Sequence, residues 1–144
     1  MRAEAMLVAG LVLAGCAGSS GERGSGDAGM SDVLSATVEV KLQGETIRLL
    51  LHVTNTGEEA VDFTFPSSQR FEFEVRDGTG AEVWRWSEGI MFTQAITEAT
   101  LGPGETWEFS AEWEPGNRTG RHEVVGRVTA TGRDVQQRMT FDLP

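Results

Sequence analysis

From Ala36 to Leu42 and from Ile47 to Val53 an apolar residue recurs at every second position. Ala36, Val38, Val40 and Leu42 point one way, with Thr37, Glu39 and Lys41 between them. Ile47, Leu49, Leu51 and Val53 repeat the pattern, with Arg48 and His52 facing out. A period of two is the signature of an extended strand with one covered face. It returns at Val61, Phe63 and Phe65, and at Phe71, Phe73 and Val75 with Glu72 and Glu74 between them. It returns again at Trp107, Phe109, Ala111 and Trp113. A less regular strand is expected over 121–131, through Val124, Val125 and Val128, and Met139, Phe141 and Leu143 close the series. Sustained helical spacing occurs nowhere.

The breaks are turn-forming: Gln43-Gly44-Glu45, Asn55-Thr56-Gly57, Asp77-Gly78-Thr79-Gly80, Gly102-Pro103-Gly104 and Pro115-Gly116-Asn117. Glycine and proline supply the positive or fixed φ that a reversing chain needs. About seven to eight short strands with one apolar face each need a second sheet to cover that face. The expected class is all-β, an immunoglobulin-like antiparallel β-sandwich over 33–144. That architecture does not require the cysteine pair of antibody domains, which is absent here.

One stretch departs from the pattern. In EVWRWSEGIMFTQA, 82–95, two tryptophans sit two residues apart and then alternation stops. An unbroken strand here puts Trp84 and Trp86 on one face with Glu82, and Val83 and Arg85 on the other. The indoles are expected to fill the space between sheets, each burying on the order of 200 Å². The alternative sets at least one on an outer face as a ligand platform. The segment Ser87–Gly104 is long for a hairpin loop and is expected to cross between sheets, with room for a short strand near Ile90–Thr93. Long loops on rigid scaffolds are where function concentrates.

The N-terminus carries a different signal. Arg2 precedes an apolar run from Met6 to Ala14, too short to span a bilayer, which takes about 20 residues. It fits the apolar region of a secretory signal. Leu13-Ala14-Gly15-Cys16 resembles the lipobox of bacterial lipoproteins, which makes 1–15 a cleaved signal peptide and Cys16 the lipid-attachment residue; a buried core thiol is the alternative. Several acyl chains, at about 0.8 kcal/mol per buried methylene, hold firmly where one is marginal. Residues 17–32 contain five glycines and four serines, a flexible tether spanning roughly 20–25 Å. The expected location is extracytoplasmic, on a bacterial membrane.

Composition narrows the function. With 12 Lys+Arg against 22 Asp+Glu the chain has a formal charge of -10, and it lacks the basic footprint that nucleic acid requires. Catalytic chemistry has little to stand on. His52 and His122 lie on separate strands, and no G-x-S-x-G elbow, HExxH or EF-hand spacing occurs. Asp77 with Gly78 and Gly80 reads as a hairpin turn rather than a calcium loop, and Asn117-Arg118-Thr119 as a turn rather than a glycosylation site. The chain is read as a non-enzyme without metal or cofactor.

HVTNTGEEAVDFTFPSSQRFEFEVRDGTGAEVWRWSEGIMFTQA, followed by LGPGE and WEFSAEW, resembles the BsuPI domain, a family named for a bacterial intracellular proteinase inhibitor. The resemblance runs over about 45–131 and is most specific at FPSSQRFEF, VWRWSEG and MFTQA. It implies an immunoglobulin-like all-β fold and binding to serine proteases. Since this chain opens on an export leader, the protease it meets would be an exported one. The best candidate contacts are the Pro66–Arg70 corner and the loop 87–104, with Arg70, Trp86, Met91, Phe92 and Gln94 as individual residues. A non-inhibitory accessory domain of an envelope complex is the alternative, and carbohydrate binding through exposed tryptophan ranks last.

Overall fold

Gly44, at φ 66°, turns β2 (Leu34–Gln43) back onto β3 (Thr46–Asn55) in a two-residue connection. A left-handed residue there matches the twist of paired strands, and glycine adopts it without a steric penalty. The resulting ladder is in register from Leu34–Asn55 to Gln43–Thr46. The computed structural model describes residues 33–144 and the backbone of Met6–Leu7. The lipobox-like residues 13–16, Cys16 among them, and the tether 17–32 lie outside the described residues.

The elements in chain order are β1 (Met6–Leu7), β2, β3, β4 (Val61–Phe65), β5 (Phe71–Asp77), β6 (Glu82–Arg85), β7 (Thr97–Leu101), β8 (Thr106–Trp113), β9 (Gly120–Val128) and β10 (Val135–Leu143). One sheet has the order β1-β2-β3-β8, a second β10-β9-β5-β6, and β4 pairs with β7 in a short third ladder. All pairings are antiparallel. This is the immunoglobulin-like β-sandwich that the alternation predicts.

Side chains from the inner faces interleave as one core. Val40, Leu49, Leu51 and Val53 on the first sheet meet Phe73, Val75, Val124 and Phe141 on the second, and all are buried. Each such side chain contributes roughly 1.5–3 kcal/mol relative to exposure. Phe63 and Phe65 of β4 close one flank by packing on Trp107, at 4.7 and 6.4 Å between ring centres. Gly126 of β9 sits against Phe73 of β5 and faces Val38 of the opposite sheet. A methyl group there would lie 3.1 Å from Phe73 and 3.3 Å from Val38.

Two expectations need correction. The segment 87–104 does not hold a strand at 90–93; its strand is β7, Thr97–Leu101. Strand β6 is also not an unbroken alternation. Glu82 pairs with Arg76 and Trp84 with Val75, so the register slips by one residue through a bulge at Val83. An extra residue of this kind resets which side each neighbour faces. Glu82 therefore joins Arg85 on the outer face, 2.7 Å apart, while Trp84 points inward.

Candidate functional site

Glu72 is the least expected residue of this region. It lies on the outer face of β5, where alternation puts a solvated side chain, yet it is only 3% exposed. Its carboxylate accepts hydrogen bonds from the hydroxyl and the amide of Ser87, at 2.5 and 3.1 Å, and from the amide of Phe73 at 3.1 Å. Gln69 donates to it at 3.3 Å, and Arg85 stands 3.5 Å away. A buried carboxylate needs such partners to offset its lost hydration. Glu72 thereby ties the start of the long loop, through Ser87, to the body of the sheet.

Next to it Glu74 meets three guanidinium groups: Arg76 and Arg127 at 2.9 Å and Arg85 at 3.1 Å. Burial pushes the Glu74 carboxyl up, but the hydrogen bond from Arg127 and the positive charges of Arg85 and Arg127 outweigh it and hold it below its ordinary range. Arg85 is pushed up, foremost by its hydrogen bond to Glu82. The carboxylates and guanidinium groups of β5, β6 and β9 form one outer network beside the loop.

The loop leaves β6 with Trp86, whose amide donates to the carbonyl of Phe73 at 3.0 Å and carries the ladder one residue further. Its indole stacks on Phe71, 4.1 Å between ring centres, and Phe71 stacks on Phe109 at 4.9 Å. Trp84 stacks on Trp113 at 6.0 Å. Both indoles face inward and are half-buried, so neither forms the outer platform of the alternative reading. A tight turn follows. The amide of Ile90 donates to the carbonyl of Ser87 at 3.0 Å, and Gly89 takes φ 85°.

Beyond that turn the chain is irregular up to Ile96. Met91 is 95% exposed, Ile96 71% and Ile90 42%. Phe92 turns the other way and packs on Trp86 at 5.8 Å. Thr93 is held by the Pro66–Arg70 corner: its amide donates to the Ser68 hydroxyl and its carbonyl accepts from the Ser68 amide, both at 2.9 Å. Thr97 adds a hydroxyl bond to the carbonyl of Ser67 at 3.1 Å. The two segments singled out in the sequence are thus one hydrogen-bonded unit.

The candidate residues fall into two groups. Met91 projects into solvent, and Gln94 is exposed with its amide turned back onto the carbonyl of Phe92 at 3.1 Å. Trp86, Phe92 and Arg70 brace. The Arg70 guanidinium lies over the Phe65 ring at 4.9 Å, and its carbonyl accepts from the Thr129 amide. Sequence reasoning missed the fasteners Glu72, Ser87, Ser68 and Thr93. The only signal for them was a carboxylate inside a strand with serines in the loops before and after it.

The histidines do not assemble a reactive centre. His52 faces outward on β3, 3.7 Å from Glu108. His122 is buried on β9 between Trp113 and Phe141, its Nδ1 3.0 Å from the carbonyl of Gly120. Asp77 spends one carboxylate oxygen on Thr79 and Ala81 in its own hairpin, the role expected of it, and these bonds draw its carboxyl below its ordinary range. Among the described residues no group of three His, Cys, Asp or Glu side chains converges as metal ligands do. A cleft of about 520 Å³ opens between the turn at Gly44, the turn at Gly116 and Leu143, lined by other residues than the loop.

Comparison with known proteins bears on fold and family. Over 83% of this chain and 42% of the other, the structure resembles a penta-heme cytochrome c552 from Thermochromatium tepidum, with a TM-score of 0.53 and 11% identity. It is also similar to beta-glucosidase 3B from Thermotoga neapolitana, at a TM-score of 0.41 and 21% identity over 76% of this chain and 15% of that one. The chain spans less than half the length of these proteins, and the likeness concerns the sandwich alone. A search of curated proteins finds no match. The family profile described as BsuPI, intracellular proteinase inhibitor, matches residues 34–133. That span takes in every strand from β2 to β9 and the braced loop between β6 and β7, and the chain belongs to the BsuPI family of proteinase inhibitors.

Proposed function

We propose that this protein is an exported, membrane-anchored inhibitor of a serine protease. It presents the braced loop 87–96 and the Pro66–Arg70 corner to the enzyme and is held to a bacterial membrane by lipid on Cys16. The single observation that carries the reading is the arrangement of that loop in a member of a proteinase-inhibitor family. Its fastened flanks leave Met91 almost wholly exposed. A segment already ordered before binding loses less conformational entropy on docking, which raises affinity. Without a fastened loop, family membership would give no contact surface.

The anchor and location rest on the apolar run Met6–Ala14 and the Leu13–Cys16 tetrapeptide. Metabolic labelling with an alkyne fatty acid should mark the chain, and Cys16→Ser should abolish the label. The inhibitory reading is tested with the full chain in detergent against a panel of secreted serine proteases. Slowing of at least one enzyme at near-stoichiometric ratio is the expected result. Cleavage without inhibition across the panel would refute it and leave the accessory-domain reading in its place.

A further inference from the structure

The loop is built so that one side chain, and only one, is both fully presented and flanked by fixed neighbours. On the N-terminal side, Ser87 is tied to the buried Glu72 carboxylate and the chain turns back at Ile90. On the C-terminal side, Phe92 is seated on Trp86 and Thr93 is clasped by Ser68. Between these lies Met91, 95% exposed on backbone that belongs to no helix, strand or turn. Its amide and carbonyl have no internal partner among the described residues, so they remain available to pair with another chain. Extended segments with free main-chain groups are what protease clefts bind, by adding them as a strand.

We propose, on the strength of the inhibitor reading, that Met91 is the primary specificity residue. The loop docks as a substrate does, and Met91 fills the pocket that selects the residue before the cleaved bond. The target class is then a serine protease whose pocket takes a long, unbranched apolar side chain, rather than one with an acid at the pocket floor. The same bracing explains why docking inhibits instead of feeding the enzyme. Attack by the catalytic serine on the Met91 carbonyl forms an ester and breaks the bond to the Phe92 nitrogen, which takes up the serine proton. The new amine stays within reach, because the Phe92 ring rests on Trp86 and Thr93 on Ser68. Its return expels the serine and restores the peptide bond. Water competes for the same ester and gives a carboxylate at Met91 and an ammonium at Phe92. Fixing the amine beside the ester raises its effective concentration far above that of a free amine.

The test uses the full chain in detergent, wild type and the variants Met91→Lys and Met91→Gly, against chymotrypsin and subtilisin on one side and trypsin on the other. Met91 packs on nothing, so both variants should keep the wild-type thermal midpoint, checked by circular dichroism. The wild type should inhibit the apolar-pocket enzymes and spare trypsin. Met91→Lys should lose at least tenfold against the first pair and gain inhibition of trypsin, and Met91→Gly should be weak against all three. Long incubation should yield a slow cut between Met91 and Phe92, read by mass spectrometry. If the wild type inhibits and both variants inhibit equally well, Met91 is not the specificity residue and the inhibitor reading survives. If the wild type inhibits none of the three, nor any enzyme of the wider secreted panel, both readings fall together.

Discussion

Ser68 and Thr93 exchange two hydrogen bonds across the gap between the Pro66–Arg70 corner and the β6–β7 loop, each 2.9 Å long. One uses the Ser68 hydroxyl and the other its amide, so a side-chain deletion removes half the clasp and leaves the backbone half. Ser68→Ala should free the loop by about 1 kcal/mol, the net worth of one such bond. Limited proteolysis of the loop should speed up roughly fivefold, with the global unfolding midpoint unchanged.

Gly126 lies between Phe73 of its own sheet and Val38 of the other. Gly126→Ala pushes a methyl group to 3.1 Å from the Phe73 ring and 3.3 Å from Val38, both buried in the core. Overpacking of this kind costs about 1–3 kcal/mol. The urea midpoint should fall accordingly with an unchanged slope.

Asn55 is fully buried, and every polar atom of its side chain is in use. Its amide nitrogen donates to the carbonyls of Glu59 and Leu101, at 2.8 and 2.9 Å, and its oxygen accepts from the amide of Gly57 at 2.9 Å. It knots the end of β3 to β7 and to the loop before β4. Asn55→Ala leaves the buried Leu101 carbonyl without a partner and gives the Glu59 carbonyl and Gly57 amide back to water, and stability should drop by about 1–3 kcal/mol in equilibrium denaturation.

Glu74 makes stability depend on acid. Its folded carboxyl titrates below its unfolded value, because Arg127, Arg85 and Arg76 outweigh the effect of burial. A depressed acid contributes its stabilisation in full above the unfolded value of 4.5, and loses it as pH falls below 4.5 through the folded value. Unfolding free energy measured between pH 6 and pH 3 should therefore decline toward acid. The Glu74→Gln variant should be less stable at pH 6 and should lose part of that slope.

Alternation made most of the sandwich legible. Ile47–Val53 and Trp107–Trp113 each keep one apolar face, and they pair as neighbours in the same sheet. Strand β7 was hidden because TEATL turns Thr97, Ala99 and Leu101 inward, and only the last is a large apolar residue. The slip at Val83 was hidden for another reason, since a period of two presumes an unbroken register. In the site, the loop and the corner were both legible as irregular segments beside aromatic strands. Their union was not, because the Glu72–Ser87 and Ser68–Thr93 bonds depend on how β5, β6 and the loop align in space. Adjacent Met91 and Phe92 take opposite fates that composition does not separate: the Phe92 ring packs on Trp86, and Met91 projects into solvent.

The bulged β6 has one more effect. It is the outermost strand of its sheet, only four residues long, and interrupted within that span. An edge so brief and uneven offers few aligned donors and acceptors to an incoming strand. Copies crowded together would find little there to zip onto, which guards this side of the sheet against polymerisation.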